Sequence, residues 1–167
     1  MELDIQIGLK GFAIPYEAQI IRVADEYDAI VSKRQYKTHI GVTDTLKILI
    51  ENAHNGKNNP RIVKALIRVV IDDTLYEISC TYNYIDYIKE QIKRLETVDK
   101  YNQKATSSKS ESKQNYYKEG MKMLFTEGET FENYSSILLQ YKQALDTRTN
   151  IINKLYAELK DIKKLKV

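Results

Sequence analysis

From Phe131 onward the chain carries an apolar stripe that one helix cannot hide by itself. Steps of three and four residues land on Phe131, Tyr134, Leu138, Tyr141, Leu145, Arg148, Ile152, Leu155, Leu159 and Ile162, nine of the ten apolar. No Gly or Pro interrupts residues 131–167, so a rod of about 50 Å is allowed at ~1.5 Å per residue. Such a rod needs a second helix, in this chain or in a partner. With Phe131 at a heptad a position, Ile137, Ala144, Ile151 and Leu165 fall at g beside the a and d rows. That face is wider than a two-stranded seam and suits a bundle. The helix expected at 84–104 is a natural antiparallel partner, but it would cover barely half of the rod. Association with another subunit is therefore expected for the rest. Arg148, inside DTRTN (146–150), reads either as a weak solvated turn or as a polar residue that sets register.

Upstream, the hydrophobic period changes. Leu3, Ile5, Ile7 and Leu9 alternate with Glu2, Asp4, Gln6 and Gly8, which predicts a half-buried strand. Pro15 then suits the first turn of a helix. Tyr16, Ile20, Val23, Tyr27 and Ile30 share one face of that helix, drawn from about 15 to 37. A second helix is expected after Gly41, capped by Thr43 or Asp44, buried through Leu46, Leu49, Ile50 and Ala53, and stopped by Asn55-Gly56. KNNP (57–60) reads as a surface loop.

Residues 62–82 admit two readings. Ile67, Val69 and Ile71, then Tyr76, Ile78, Cys80 and Tyr82, alternate around Asp72-Asp73-Thr74, which favours a β-hairpin rich in β-branched and aromatic residues. Leu75, Ile78, Tyr82, Ile85, Ile88, Ile92 and Leu95 also keep helical spacing, with Thr74 and Glu77 as a capping box. The hairpin is preferred. A helix from about 83 to 104 follows, then the polar stretch ATSSKSESKQN (105–115) and a short amphipathic piece bearing Tyr116, Tyr117, Met121, Leu124 and Phe125. Gly128 and the cap residue Thr130 open the terminal helix. The expected fold is α+β and predominantly helical, a small antiparallel sheet covered by helices plus a coiled-coil-like terminal helix; the alternative is an all-α bundle. The expected divisions are 1–104, 105–129 and 130–167.

Composition narrows the chemistry. A formal charge of +3 is mild, and 20 Lys against 6 Arg supplies few planar forks for phosphate. The single cysteine, Cys80, precludes an intrachain disulfide and is expected to be a small buried or half-buried residue. Two histidines without an H-x-x-x-H spacing support no transition-metal site, and no cofactor is expected. Walker A, G-x-G-x-x-G and G-x-S-x-G sequences are absent. His54 falls at a helix C-terminus, a favourable place for an imidazolium. Asp25-Glu26 and Asp72-Asp73 read as solvated carboxylates. The apolar runs are too short to span a bilayer, and MELDIQIG lacks the layout of a secretory signal, so a cytoplasmic or virion setting is expected. Abundant Lys, Asn, Ile and Tyr with no Trp fits a low-GC genome.

Arg34 and His39 stand in KRQYKTH with the spacing R-x-x-x-x-H. Over these six residues the chain is similar to the short motif of the HEPN ribonucleases. That resemblance implies an all-helical nuclease whose Arg34 and His39 converge on an RNA phosphodiester. As structure alone, these are basic residues at a polar helix end. Lys33, Arg34 and Lys37, with Lys160, Lys163 and Lys164, form basic clusters with tyrosines nearby, the basis of a second alternative, accessory nucleic-acid binding. The leading expectation is a non-enzymatic assembly protein, such as a phage or mobile-element component. It would form a homo-oligomer or dock on a complex through the stripe from Phe131 to Ile162.

Overall fold

The computed structural model describes residues 13–32 and 41–167. Among these residues there are five helices and no strand: α1 (Tyr16–Ser32), α2 (Val42–His54), α3 (Pro60–Ser107), α4 (Glu111–Leu124) and α5 (Tyr134–Ile162). The all-α alternative therefore holds in place of the expected sheet. The proposed N-terminal strand lies outside the described residues. The chain divides into two compact units, residues 1–76 with 155–167, and residues 77–154. None of the described helices is long and apolar enough to cross a membrane.

The expected hairpin is instead part of α3. From Val63 its buried positions continue through Ile67, Val70, Thr74, Ile78, Thr81, Ile85 and Ile88, a spacing of three and four that no strand can produce. A preference for strands among β-branched residues is weak and context-dependent, so the continuous helical stripe prevails. Two of these residues show how the conflict is resolved locally. Thr74 Oγ1 donates to Val70 O at 2.7 Å and Thr81 Oγ1 to Glu77 O at 2.8 Å, which satisfies each hydroxyl within the helix. Thr74 is thereby committed backwards and forms no capping box with Glu77. Asp72 and Asp73, read as a turn, are exposed positions in mid-helix. Cys80 is exposed as well, contrary to expectation.

In the first unit, α1 lays Val23 and Tyr27 against Leu46, Leu49, Ile50 and Ala53 of α2, with Ile62, Val63, Ile67 and Val70 of α3 completing the core. Fully burying side chains such as Leu46 and Leu49 contributes about 1.5–3 kcal/mol each. Gly41, rather than Thr43 or Asp44, is the N-cap of α2. Thr43 and Asp44 lie one and two residues inside the helix, where Asp44 adds favourable negative charge to the first turn. The helix ends as expected, with Asn55 at the C-cap and Gly56 at φ +72°.

The second unit is built on Leu95 and Val98 of α3, Met121 of α4 and Tyr134 of α5. Here α3 and α5 run antiparallel: Tyr134 OH donates to Asp99 at 2.9 Å, Lys142 pairs with Glu96 at 3.1 Å, and Arg148 lies over the Tyr84 ring at 4.9 Å. The α5 entry is capped as the sequence implies. Asn133 N donates to Thr130 Oγ1 and Thr130 N to Asn133 Oδ1, a reciprocal arrangement, after Gly128 turns the chain at φ +83°.

Most of the terminal stripe is covered from within the chain. Tyr134 and Ile152 are buried in the second unit, while Leu155, Leu159 and Ile162 are buried in the first. Leu138, Tyr141 and Leu145 are partly covered, and Arg148 and Phe131 are exposed. The helix is continuous through DTRTN.

Candidate functional site

The first unit holds a knot of polar side chains where α1 meets the α2–α3 turn. Glu26 follows the buried Val23 by three residues, so its side chain lies beside the packed face of α1. Asn52 Nδ2 donates to Glu26 Oε1, and Asn58 Nδ2 donates to Glu26 Oε2 at 2.7 Å. Two turns earlier on α1, Gln19 Oε1 accepts from Asn59 Nδ2 at 2.8 Å, and Gln19 Nε2 donates to Ile14 O at 2.8 Å. Two points on α1, Gln19 and Glu26, are thus tied through amides to the turn that begins α3.

Local sequence explains why the turn is available. After Gly56, Lys57 N and Asn58 N both donate to Asn52 O, which folds the chain tightly over the end of α2. Asn59 then caps α3: Arg61 N donates to Asn59 Oδ1 at 3.0 Å, and Val63 N to Asn59 O at 3.1 Å. Pro60 occupies the first helical position, where its missing N–H is no loss. Read as a surface loop, KNNP in fact contains Asn58 at 5% exposure. Its Oδ1 is buried without a hydrogen-bond partner among the described residues. Beside the knot an open groove of about 790 Å³ runs between the start of α1 and the start of α3, lined by Ile14, Tyr16, Gln19, Asn59, Pro60 and Arg61 among others.

This arrangement fixes a carboxylate and the rotation of a helix, but it does not gather the donors of a metal centre. No group of three or more His, Cys, Asp or Glu that could hold a metal ion occurs among the described residues. His54 is exposed in the last turn of α2. Of the adjacent acidic pairs, Asp25 is exposed while its neighbour Glu26 is the carboxylate held by amides. Arg34, His39, Lys33 and Lys37 lie outside the described residues. Lys160, Lys163 and Lys164 are exposed near the end of the chain, and Lys164 pairs with Asp161 at 2.9 Å. The lysine holds the Asp161 carboxyl below its ordinary value.

The second unit contains a different polar contact. Arg94 forks onto Glu129 with two bonds of 2.6 Å and also donates to Leu124 O at 2.8 Å. Thr126 N donates to Glu129 Oε2 at 2.9 Å. The guanidinium first, then the backbone donor against an opposing loss of hydration, lowers the Glu129 carboxyl to about 2. Nearby, burial and then the Asp99 hydrogen bond push the Tyr134 hydroxyl up. These groups clasp the α4–α5 turn to α3. Their donors and acceptors are engaged with one another, which leaves little for a reacting ligand.

A family model described as HD domain matches residues 6–62, a stretch that includes α1, α2 and the whole amide knot. The cyclic di-GMP phosphodiesterase response regulator RpfG of Xanthomonas campestris pv. campestris (strain 8004) is 45% identical over 62 residues, covering 36% of this chain and 16% of the relative. The similarity thus spans about a sixth of that protein's length. No solved structure matches. These matches overturn the expectation of a non-enzymatic assembly protein and of a phage structural component. The HEPN-like and nucleic-acid-binding alternatives fall with it. What sequence reasoning missed was the set Gln19, Glu26, Asn52, Asn58 and Asn59. The available signal was the Asn-Asn-Pro triplet, where an Asn before Pro is a helix cap as readily as a loop.

Proposed function

We propose that this chain serves a phosphohydrolase of the HD type, and that its substrate class is a cyclic dinucleotide phosphodiester. The observation that carries the reading is the HD match over residues 6–62, supported by 45% identity to a cyclic di-GMP phosphodiesterase over 62 residues. The geometry is compatible with it. The knot around Glu26 fixes the rotation of α1 against α2, so the exposed carboxylates of Asp25 and Asp28 project in a set direction. Precise placement of charged groups is what phosphoryl chemistry demands of a protein scaffold.

A divalent metal is a common source of activated water and of charge neutralisation in such hydrolysis. The donor set does not fit a resident metal on these residues, because no third ligating group joins Asp25 and Asp28 among the described positions. What the chain itself supplies is a rigid helix pair with carboxylates on its open side.

Replacement tests the reading. The Xanthomonas protein carrying the full 167-residue chain in place of its 62 matched residues is expected to keep hydrolysis of cyclic di-GMP, followed by chromatography of the linear product. A folded replacement protein that no longer hydrolyses cyclic di-GMP, where the parent does, would overturn it.

A further inference from the structure

We infer that the outer face of α3 in the first unit binds a second copy of this chain, as an antiparallel two-fold pair centred at the level of Val70. The inference does not depend on the hydrolase reading. It starts from a second apolar stripe on α3. Val63, Ile67 and Val70 face the core of the first unit. Val69 follows Ile67 by two residues, which carries it about 200° around the helix, to the side away from that core. Ala65 precedes Val69 by one turn and Tyr76 follows it by two, so the three share this outer side. Val69 is 54% exposed and Tyr76 73% exposed, and Ala65 is exposed as well. A helix that is apolar on opposite sides has the pattern of one that is covered on both.

The charges on this face select the occupant. Arg68 and Asp72 stand one turn apart on the same outer side, before and after Val69, and both are exposed. The basic member comes first, the weaker order for pairing within a single helix. In a parallel copy in register, each would meet its like. In an antiparallel copy turned about the level of Val70, Arg68 meets the second copy's Asp72, and the reverse pair forms by symmetry. The same operation seats the Tyr76 ring over the second copy's Ala65 and brings the two Val69 side chains together at the axis. One register thus satisfies charge, size and apolar contact at once, the self-complementarity that an isologous interface requires. The contact spans about three turns of helix, so the dimer is expected to be weak and concentration-dependent.

Sedimentation of the full 167-residue chain is expected to show a monomer–dimer equilibrium between about 10 μM and 1 mM. Arg68→Glu and Asp72→Arg are each expected to weaken the dimer about tenfold, and the two together to restore it, because exchanging the charges rebuilds both pairs. When dilute, all three variants are expected to unfold with the parent, since the side chains are exposed. A second arm reads the register. In a Cys80→Ser background oxidised with copper phenanthroline, Val69→Cys is expected to cross-link two chains. Ala65→Cys is not, because the two positions would lie about 15 Å apart along the helices.

A strict monomer over that range would overturn the inference, as would a dimer indifferent to either charge reversal or one that the double variant fails to restore. Cross-linking at Ala65→Cys as readily as at Val69→Cys would mean parallel copies and would overturn the antiparallel pair.

Discussion

Two glutamates hold the two units of this chain, and they are held by different chemistry. Glu26 in the first unit is met by neutral amides from Asn52 and Asn58. Glu129 in the second unit is met by a guanidinium that forks onto both of its oxygens. Amide donors orient a carboxylate while leaving its charge uncompensated. A bidentate arginine orients it and neutralises it. The uncompensated carboxylate lies within residues 6–62, the segment that matches the HD-domain model. The neutralised one lies in a clasp whose role is to hold a turn.

The largest expected effects test whether the units are independent. Leu49→Ala in the first core and Leu95→Ala in the second each remove a fully buried side chain, at a cost of about 3 kcal/mol. Amide hydrogen exchange is expected to show protection falling mainly in the unit that carries the substitution. Equal loosening of both units by both variants would erase the distinction.

Next comes the clasp. Glu129→Gln leaves a largely buried guanidinium without its counter-charge, and a loss of about 2 kcal/mol is expected, near 5 °C in Tm. Because folding lowers this carboxyl from 4.5 to about 2, its stabilisation is complete above the ordinary range. It is lost as the pH falls from there toward 2. Acid titration of Tm should therefore fall more steeply between those values in the parent than in Glu129→Gln. Parallel curves would show that the pair is not the acid-sensitive element.

Glu26→Gln is expected to cost less, about 1 kcal/mol, by turning one amide donor against another, with the loss confined to hydrogen exchange in the first unit. The smallest matched pair is Gly56→Ala and Gly128→Ala. Both glycines have positive φ, and nothing lies within 4 Å of an added Cβ, so only backbone strain of about 1 kcal/mol is imposed. Calorimetry should find nearly equal losses; a much larger loss at either turn would mean that something other than the backbone is disturbed there.

Much of the helical plan was legible in the residues. The Asn55-Gly56 stop, the Gly128 turn and the Thr130 cap could all be read because each depends on neighbours a few positions away. The antiparallel pairing of α3 with α5 in the second unit was also readable from stripes of matching period. Residues 62–82 were misread because alternation over a few residues fits both periods, and only the length of α3 decides between them. The polar knot was invisible for a different reason: Glu26, Asn52 and Asn58 are up to 32 residues apart, and no local pattern announces their meeting.

By itself, then, the sequence determined the helices outside residues 62–82, several of their stops and the stripe each must bury, because propensity, capping and periodicity act over one or two turns. Tertiary structure alone decided what covers each stripe. Tyr134, Ile152, Leu155, Leu159 and Ile162 of the terminal stripe are buried by this chain, whereas α1 leaves Ile21 in water. The reason is that burial depends on which surfaces meet, and a stripe carries no record of its partner.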